Sequence, residues 1–142
     1  MTYTQLDKDT FLTIVKSLDY KDKDEAEAKA FGSDSVYDSN FRSNHWFAKY
    51  YVIEHEGNIL ATIILQRDGF LTYFVTKDFT PDLTRKLVRI VKELADITVD
   101  KVENIFTKTA IVYEEANRFN KLVGFRMIKI SNDWTIWIYD GK

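Results

Sequence analysis

Two histidines, no cysteine and a few placed carboxylates set the chemistry this chain can attempt. The lack of cysteine removes thiolate nucleophiles, disulfides and thiolate zinc sites together. His45 and His55 carry no HExxH spacing and no EF-hand loop occurs, so no metal site is expected. His45 precedes Trp46 at a strand edge and His55 adjoins a turn; both are expected at or near the surface. Glu54 and Glu56 end one strand, where a carboxylate can polarise an amine through one water. Arg85, Lys86, Arg89 and Lys92 form a basic helix patch. Such a patch is ordinarily solvated; its sharper use is contact with an anion or a charged partner.

Periodicity predicts the elements that position these groups. Phe11, Ile14, Val15 and Leu18 give one apolar side to a helix from about Leu6 to Leu18, with Asp7, Asp9 or Thr10 as its cap. The charge run Lys21 to Glu25 precedes Ala26, Ala28, Ala30 and Phe31. This predicts a second helix that stops at Gly32 and carries the run as a solvated face. Residues 33 to 45, rich in Ser, Asp and Asn, are expected to be a loop. Residues 47–54, 59–65 and 71–75 then alternate with turns at Glu56-Gly57-Asn58 and Arg67-Asp68-Gly69, as in an antiparallel meander.

Thr80-Pro81 marks the start of a helix with the stripe Leu83, Leu87, Ile90, Val91 and Leu94. A strand at 102–106 and a helix from about Ile111 to Leu122 follow, the latter closed by Gly124. Phe125 to Ile130 and Trp134 to Tyr139 form a last hairpin, with Trp134 and Trp137 on opposite faces. The order implies an α/β fold with one mixed sheet flanked by helices. Its helical crossovers should leave their flanking strands parallel.

The chain has 142 residues, 45% hydrophobic and 30% charged, which suits one folded domain over 1–142. No apolar run nears the ~20 residues that span a bilayer, and no signal peptide is visible, so the cytoplasm is expected. A net charge of -2 does not favour nucleic acid as a partner.

The element order and the segment AxRFxKxxGF at 116–125 (Ala116, Phe119, Gly124 and Phe125) resemble the GNAT superfamily of acetyl-CoA-dependent N-acetyltransferases. The resemblance implies a GNAT-like mixed central sheet flanked by helices. It also implies an acetyl-CoA cleft between the central strand 71–75 and the strand at 102–106. The pyrophosphate would sit on backbone N–H groups where the next helix begins. The family pattern there, V-x-P-x-x-[QR]-x-x-G-x-[GA], falls on Val75 to Arg85. Val75 matches. Lys77 replaces the proline, Thr80 the Gln/Arg, and Leu83 and Arg85 the two small residues. Asp82 adds a negative charge beside the expected phosphates, which Arg85 and Lys86 can offset. With Thr84, these eight residues are the candidate cofactor contacts.

The resemblance also places Asn120 where many members carry a tyrosine that protonates the departing thiolate. An amide cannot act as that acid. Tyr113, two turns earlier, could reach a different part of such a cleft, and Glu54 or Glu56 could polarise an amine through water. Two strings, Glu25 to Gly32 (EAEAKAFG) and FVTKD at 74–78, are similar to small phage-encoded GNAT-like proteins. One of these is a T7-like internal virion or morphogenesis protein. The expectation is therefore a GNAT-fold binding or assembly protein of phage origin with an eroded acetyl-CoA site. It would act through a protein partner, a second copy included, in the host cytoplasm or virion, without a cofactor. The alternative is a divergent N-acetyltransferase that moves acetyl from acetyl-CoA to an amine.

Overall fold

The computed structural model describes residues 1–42, 48–102 and 104–139. His45, Trp46 and the first residue of the predicted 47–54 strand lie outside them. The chain forms two compact units. The first comprises Met1–Arg67 and Thr72–Pro81, the second Asp68–Leu71 and Asp82–Lys142.

Four strands build the first unit's sheet: β1 (Thr2–Leu6), β2 (Lys49–His55), β3 (Asn58–Leu65) and β4 (Leu71–Val75), in the order β1-β2-β3-β4. The β1–β2 and β2–β3 pairs are antiparallel, with Leu6 opposite Tyr50 and Tyr50 opposite Ile64. On one face Tyr50, Val52, Ile64 and Phe74 meet Phe11 and Val15 of α1 (Lys8–Lys16), Ala28 of α2 (Asp22–Ala30) and Val36 of α3 (Val36–Arg42). Each buried Val, Ile or Phe side chain among these contributes about 1.5–3 kcal/mol, so this contact fixes where the helices lie.

Three expectations need correction here. The first helix does not begin at Leu6, because Thr2–Leu6 pairs with β2 as an edge strand. Asp7 then caps α1, its carboxylate accepting from the Thr10 N–H at 2.9 Å. Residues 33 to 45 are not all loop. The Val36 N–H donates to Glu25 Oε1 at 2.6 Å and the Asp38 N–H to Ser35 Oγ at 3.0 Å, which satisfies the start of α3. Nor is the charge run Lys21 to Glu25 solvated throughout: Asp22 and Lys23 are exposed, but Asp24 is buried, as is Glu27 beyond the run.

The second unit holds β5 (Ile105–Ala110), β6 (Arg126–Ile130) and β7 (Trp134–Tyr139) in the order β5-β7-β6. Both outer strands run antiparallel to β7 and so parallel to each other. A 3-10 turn, Pro81–Leu83, leads into α4 (Thr84–Val99), which buries Leu87, Ile90, Val91, Leu94 and Ala95. The predicted strand at 102–106 lies later, because Lys101 and Val102 still donate to Thr98 O past the helix end. α5 (Glu114–Val123) stops at Gly124, whose φ of 114° supplies the left-handed cap.

Phe70 and Phe106 form a parallel bridge. Phe106 N–H donates to Gly69 O at 2.9 Å, and Thr107 Oγ1 to Leu71 O at 2.8 Å. Trp137 is buried and Trp134 half-buried on the opposite face of β7. No described helix is long and apolar enough to cross a membrane.

Candidate functional site

The edge of β4 away from β3 is where the GNAT resemblance places acetyl-CoA. Backbone groups alternate between the two edges of an extended chain. The Thr76 N–H turns toward β3 and donates to Leu60 O at 2.9 Å. Its neighbours Val75 and Lys77 therefore face the other edge, and both are taken. The Val75 N–H donates to the Asp24 carboxylate. Val75 O accepts the Lys21 N–H at 3.1 Å, and the Lys77 N–H donates to Asp19 O at 2.8 Å. Tyr20 and Thr76 complete an antiparallel bridge. The connector from α1 into α2 thus lies along this edge, bridged to it at Tyr20 and Thr76.

Side chains hold the connector in place. Lys77 Nζ lies 3.5 Å from Asp19 Oδ1 and 3.6 Å from Asp22 Oδ1. Asp19, then Asp22, holds the Lys77 ammonium above its ordinary pKa. Lys21 Nζ stands 5.8 Å over the Phe79 ring. Tyr20 is buried, and its hydroxyl meets Thr62 Oγ1 at 2.7 Å. Burial pushes its phenol well above the usual tyrosine range.

The remaining candidates separate. Val75 is buried, and Lys77, Thr80 and Glu54 are exposed, all in the first unit. Glu54 is the penultimate residue of β2, opposite Thr2 and Ile59. Asp82 and Leu83 lie in the 3-10 turn and Thr84, Arg85 and Lys86 start α4, all in the second unit, with Leu83 and Thr84 half-buried and the three charged residues exposed. Leu83 occupies the cap position without a side-chain bond to the helix. No glycine lies between Val75 and Arg85, so the close backbone approach of a glycine-lined phosphate nest is missing.

Asn120 is 1% exposed, and its Nδ2 donates to Thr109 Oγ1 at 2.8 Å. It ties α5 to β5. Tyr113 is buried with Ala110, Ala116 and Trp134. Beside them lies a hub the sequence did not single out. Asn117 Nδ2 donates to Tyr113 O at 2.9 Å and Ala110 O at 3.0 Å. Its Oδ1 accepts from Thr135 Oγ1 at 2.5 Å and Trp137 Nε1 at 3.3 Å. A mid-helix asparagine carries no sequence signal for this. Lys21 and Asp24 were equally hidden within a charge run, and Asp19 stands just before it. Among the described residues, no group of three His, Asp or Glu could hold a metal.

No protein-family model matches the chain, and no curated protein matches it. Solved structures do. A protein from Streptococcus mutans UA159 is 14% identical with a TM-score of 0.68, covering 100% of each chain. An N-acetyltransferase from Staphylococcus aureus Mu50 is 14% identical with a TM-score of 0.62, covering 98% of this chain and 96% of its own. The GNAT domain of S. lividans PAT is 8% identical with a TM-score of 0.71, covering 96% and 88%. At these identities the likeness is one of fold: the chain has the GNAT fold.

Proposed function

We propose that this chain is a non-catalytic binding or assembly protein on a GNAT scaffold, of phage origin, with its acetyl-CoA edge closed by its own connector. One observation carries the reading: the outward N–H groups of Val75 and Lys77 and the Val75 carbonyl are all bonded to residues 19–24. A ligand would have to break these bonds before making its own, and an unmade buried hydrogen bond costs about 1–3 kcal/mol. The glycine-free start of α4 and the buried Asn120 point the same way. Acetyl-CoA does not fit the residues present. The phage assignment rests on the strings at 25–32 and 74–78.

Isothermal calorimetry with acetyl-CoA tests the reading. The expected result is no heat of binding, and no coenzyme A release with a panel of amines. Micromolar binding would overturn it in favour of the divergent acetyltransferase, since fold alone does not decide function.

A further inference from the structure

The three strands of the second unit carry only three charged side chains, and all are positive: Lys108 of β5, and Arg126 and Lys129 of β6. Pairing puts all three on one face, because residues directly opposite in a ladder point to the same side. Lys108 and Lys129 both lie opposite Ile136 of the central strand, one on each side of it. Phe106 and Arg126 lie opposite Ile138 in the same way, and Ala110 lies opposite Trp134. The β6 bulge creates this match. Without the extra residue between Met127 and Lys129, strand alternation would send Lys129 to the other face from Arg126.

α4 and α5 bond to the opposite face. Tyr139 donates to Asp96 of α4, and Thr135 and Trp137 donate to Asn117 of α5. Neither helix therefore covers the face that holds the cations. Its apolar residues Phe106, Trp134, Ile136 and Ile138 are half-buried, and Arg126 and Lys129 are exposed.

We propose that this face holds an acidic segment of a partner protein, its apolar side chains against Ile136 and Ile138 and its carboxylates on the flanking cations. Charge complementarity selects the occupant. Strands stand about 4.7–4.9 Å apart, so Lys108 and Lys129 bracket Ile136 at about 10 Å, a span that one peptide chain can cover. A second copy would bring the same three cations onto these, which opposes self-pairing. A nucleic acid needs open ring faces for its bases. Here Lys108 Nζ stands 4.6 Å over the Trp134 ring, and Phe106 meets Phe70 edge-on at 5.1 Å. The proposal rests on the reading of this chain as a binding protein and names where its partner docks. Its residues are not those that close the β4 edge, so peptide binding can fail while acetyl-CoA calorimetry comes out as expected, and the reverse.

Selection of a random peptide library on the immobilised whole chain tests it. Enriched peptides should interleave Asp or Glu with Leu, Ile or Phe. By fluorescence anisotropy, an enriched peptide should bind Lys129→Glu at least about tenfold more weakly than wild type, because like charges then meet. Lys129 is exposed at the sheet edge, and circular dichroism checks that the variant folds. The same peptide with its acids changed to amides should lose binding to wild type, a measurement that needs no variant. Enrichment of nothing, or of peptides without acids, overturns the proposal. So does equal affinity for wild type and a folded Lys129→Glu, equal affinity for the acid and amide peptides, or tighter binding of oligothymidylate than of the peptide.

Discussion

The backbone N–H of Val75 donates to the carboxylate of Asp24, 51 residues earlier in the chain. This bond joins α2 to the outer edge of β4. Asp24 is 3% exposed, so the bond is sheltered from water. Replacing Asp24 by Ala leaves the Val75 N–H unpaired and should cost about 1–3 kcal/mol. Asp24→Asn retains an acceptor oxygen and should cost less. Urea denaturation of the two variants checks the order; equal stability of wild type and Asp24→Ala would show that the edge is not held here.

Asn120→Tyr installs the residue that the GNAT resemblance expects at this position. The site is filled by Thr109 and the α5–β5 contact, so the larger ring should overpack it by about 1–3 kcal/mol. No acetyl transfer should appear, because the closed β4 edge remains. Denaturation and a coenzyme A release assay read the two effects separately. A stable variant that releases coenzyme A would contradict both.

Strong local patterns made much of this fold legible. β4 and the β6–β7 hairpin announce themselves by β-branched and aromatic residues between turn signals, and α4 by its apolar stripe. β1 does not, because Thr2, Thr4 and Gln5 are exposed and only pairing with β2 makes a strand of them. α3 was masked by its Ser and Asp content, and its first N–H is satisfied from 11 residues away by Glu25. The closed edge was hidden for a related reason. Asp24 sits among alternating charges, and nothing local separates a buried acceptor from a solvated carboxylate. The missing phosphate glycines, by contrast, could be read directly from the sequence.

Gly69 is where the β3–β4 turn meets the start of β5. Its φ is +96°, and an added Cβ would lie 2.1 Å from Asn104 O. Gly57 also has positive φ, +82°, but nothing within 4 Å of an added Cβ. Gly57→Ala therefore meets backbone strain alone, about 1–2 kcal/mol. Gly69→Ala must in addition push apart the turn and β5, breaking the Phe106 N–H bond to Gly69 O. It should be the more destabilised of the two by thermal melting. The reverse order would mean that the turn yields at little cost.

Tyr20 ties the connector to β3 through Thr62, and burial is the main reason its phenol resists ionisation. In the folded state its pKa is raised above the ordinary value of 10.0. The folded protein therefore holds this proton more tightly than the unfolded chain. The associated stability is complete below pH 10 and is lost as pH rises beyond it. Tyr20→Phe removes the titration and the hydrogen bond together. It should lower stability at neutral pH by about 0.5–1.5 kcal/mol and flatten the decline above pH 10. Urea midpoints from pH 7 to 11 measure both, with absorbance at 295 nm following phenolate formation. Parallel declines in the two proteins would show that another group controls the alkaline limb.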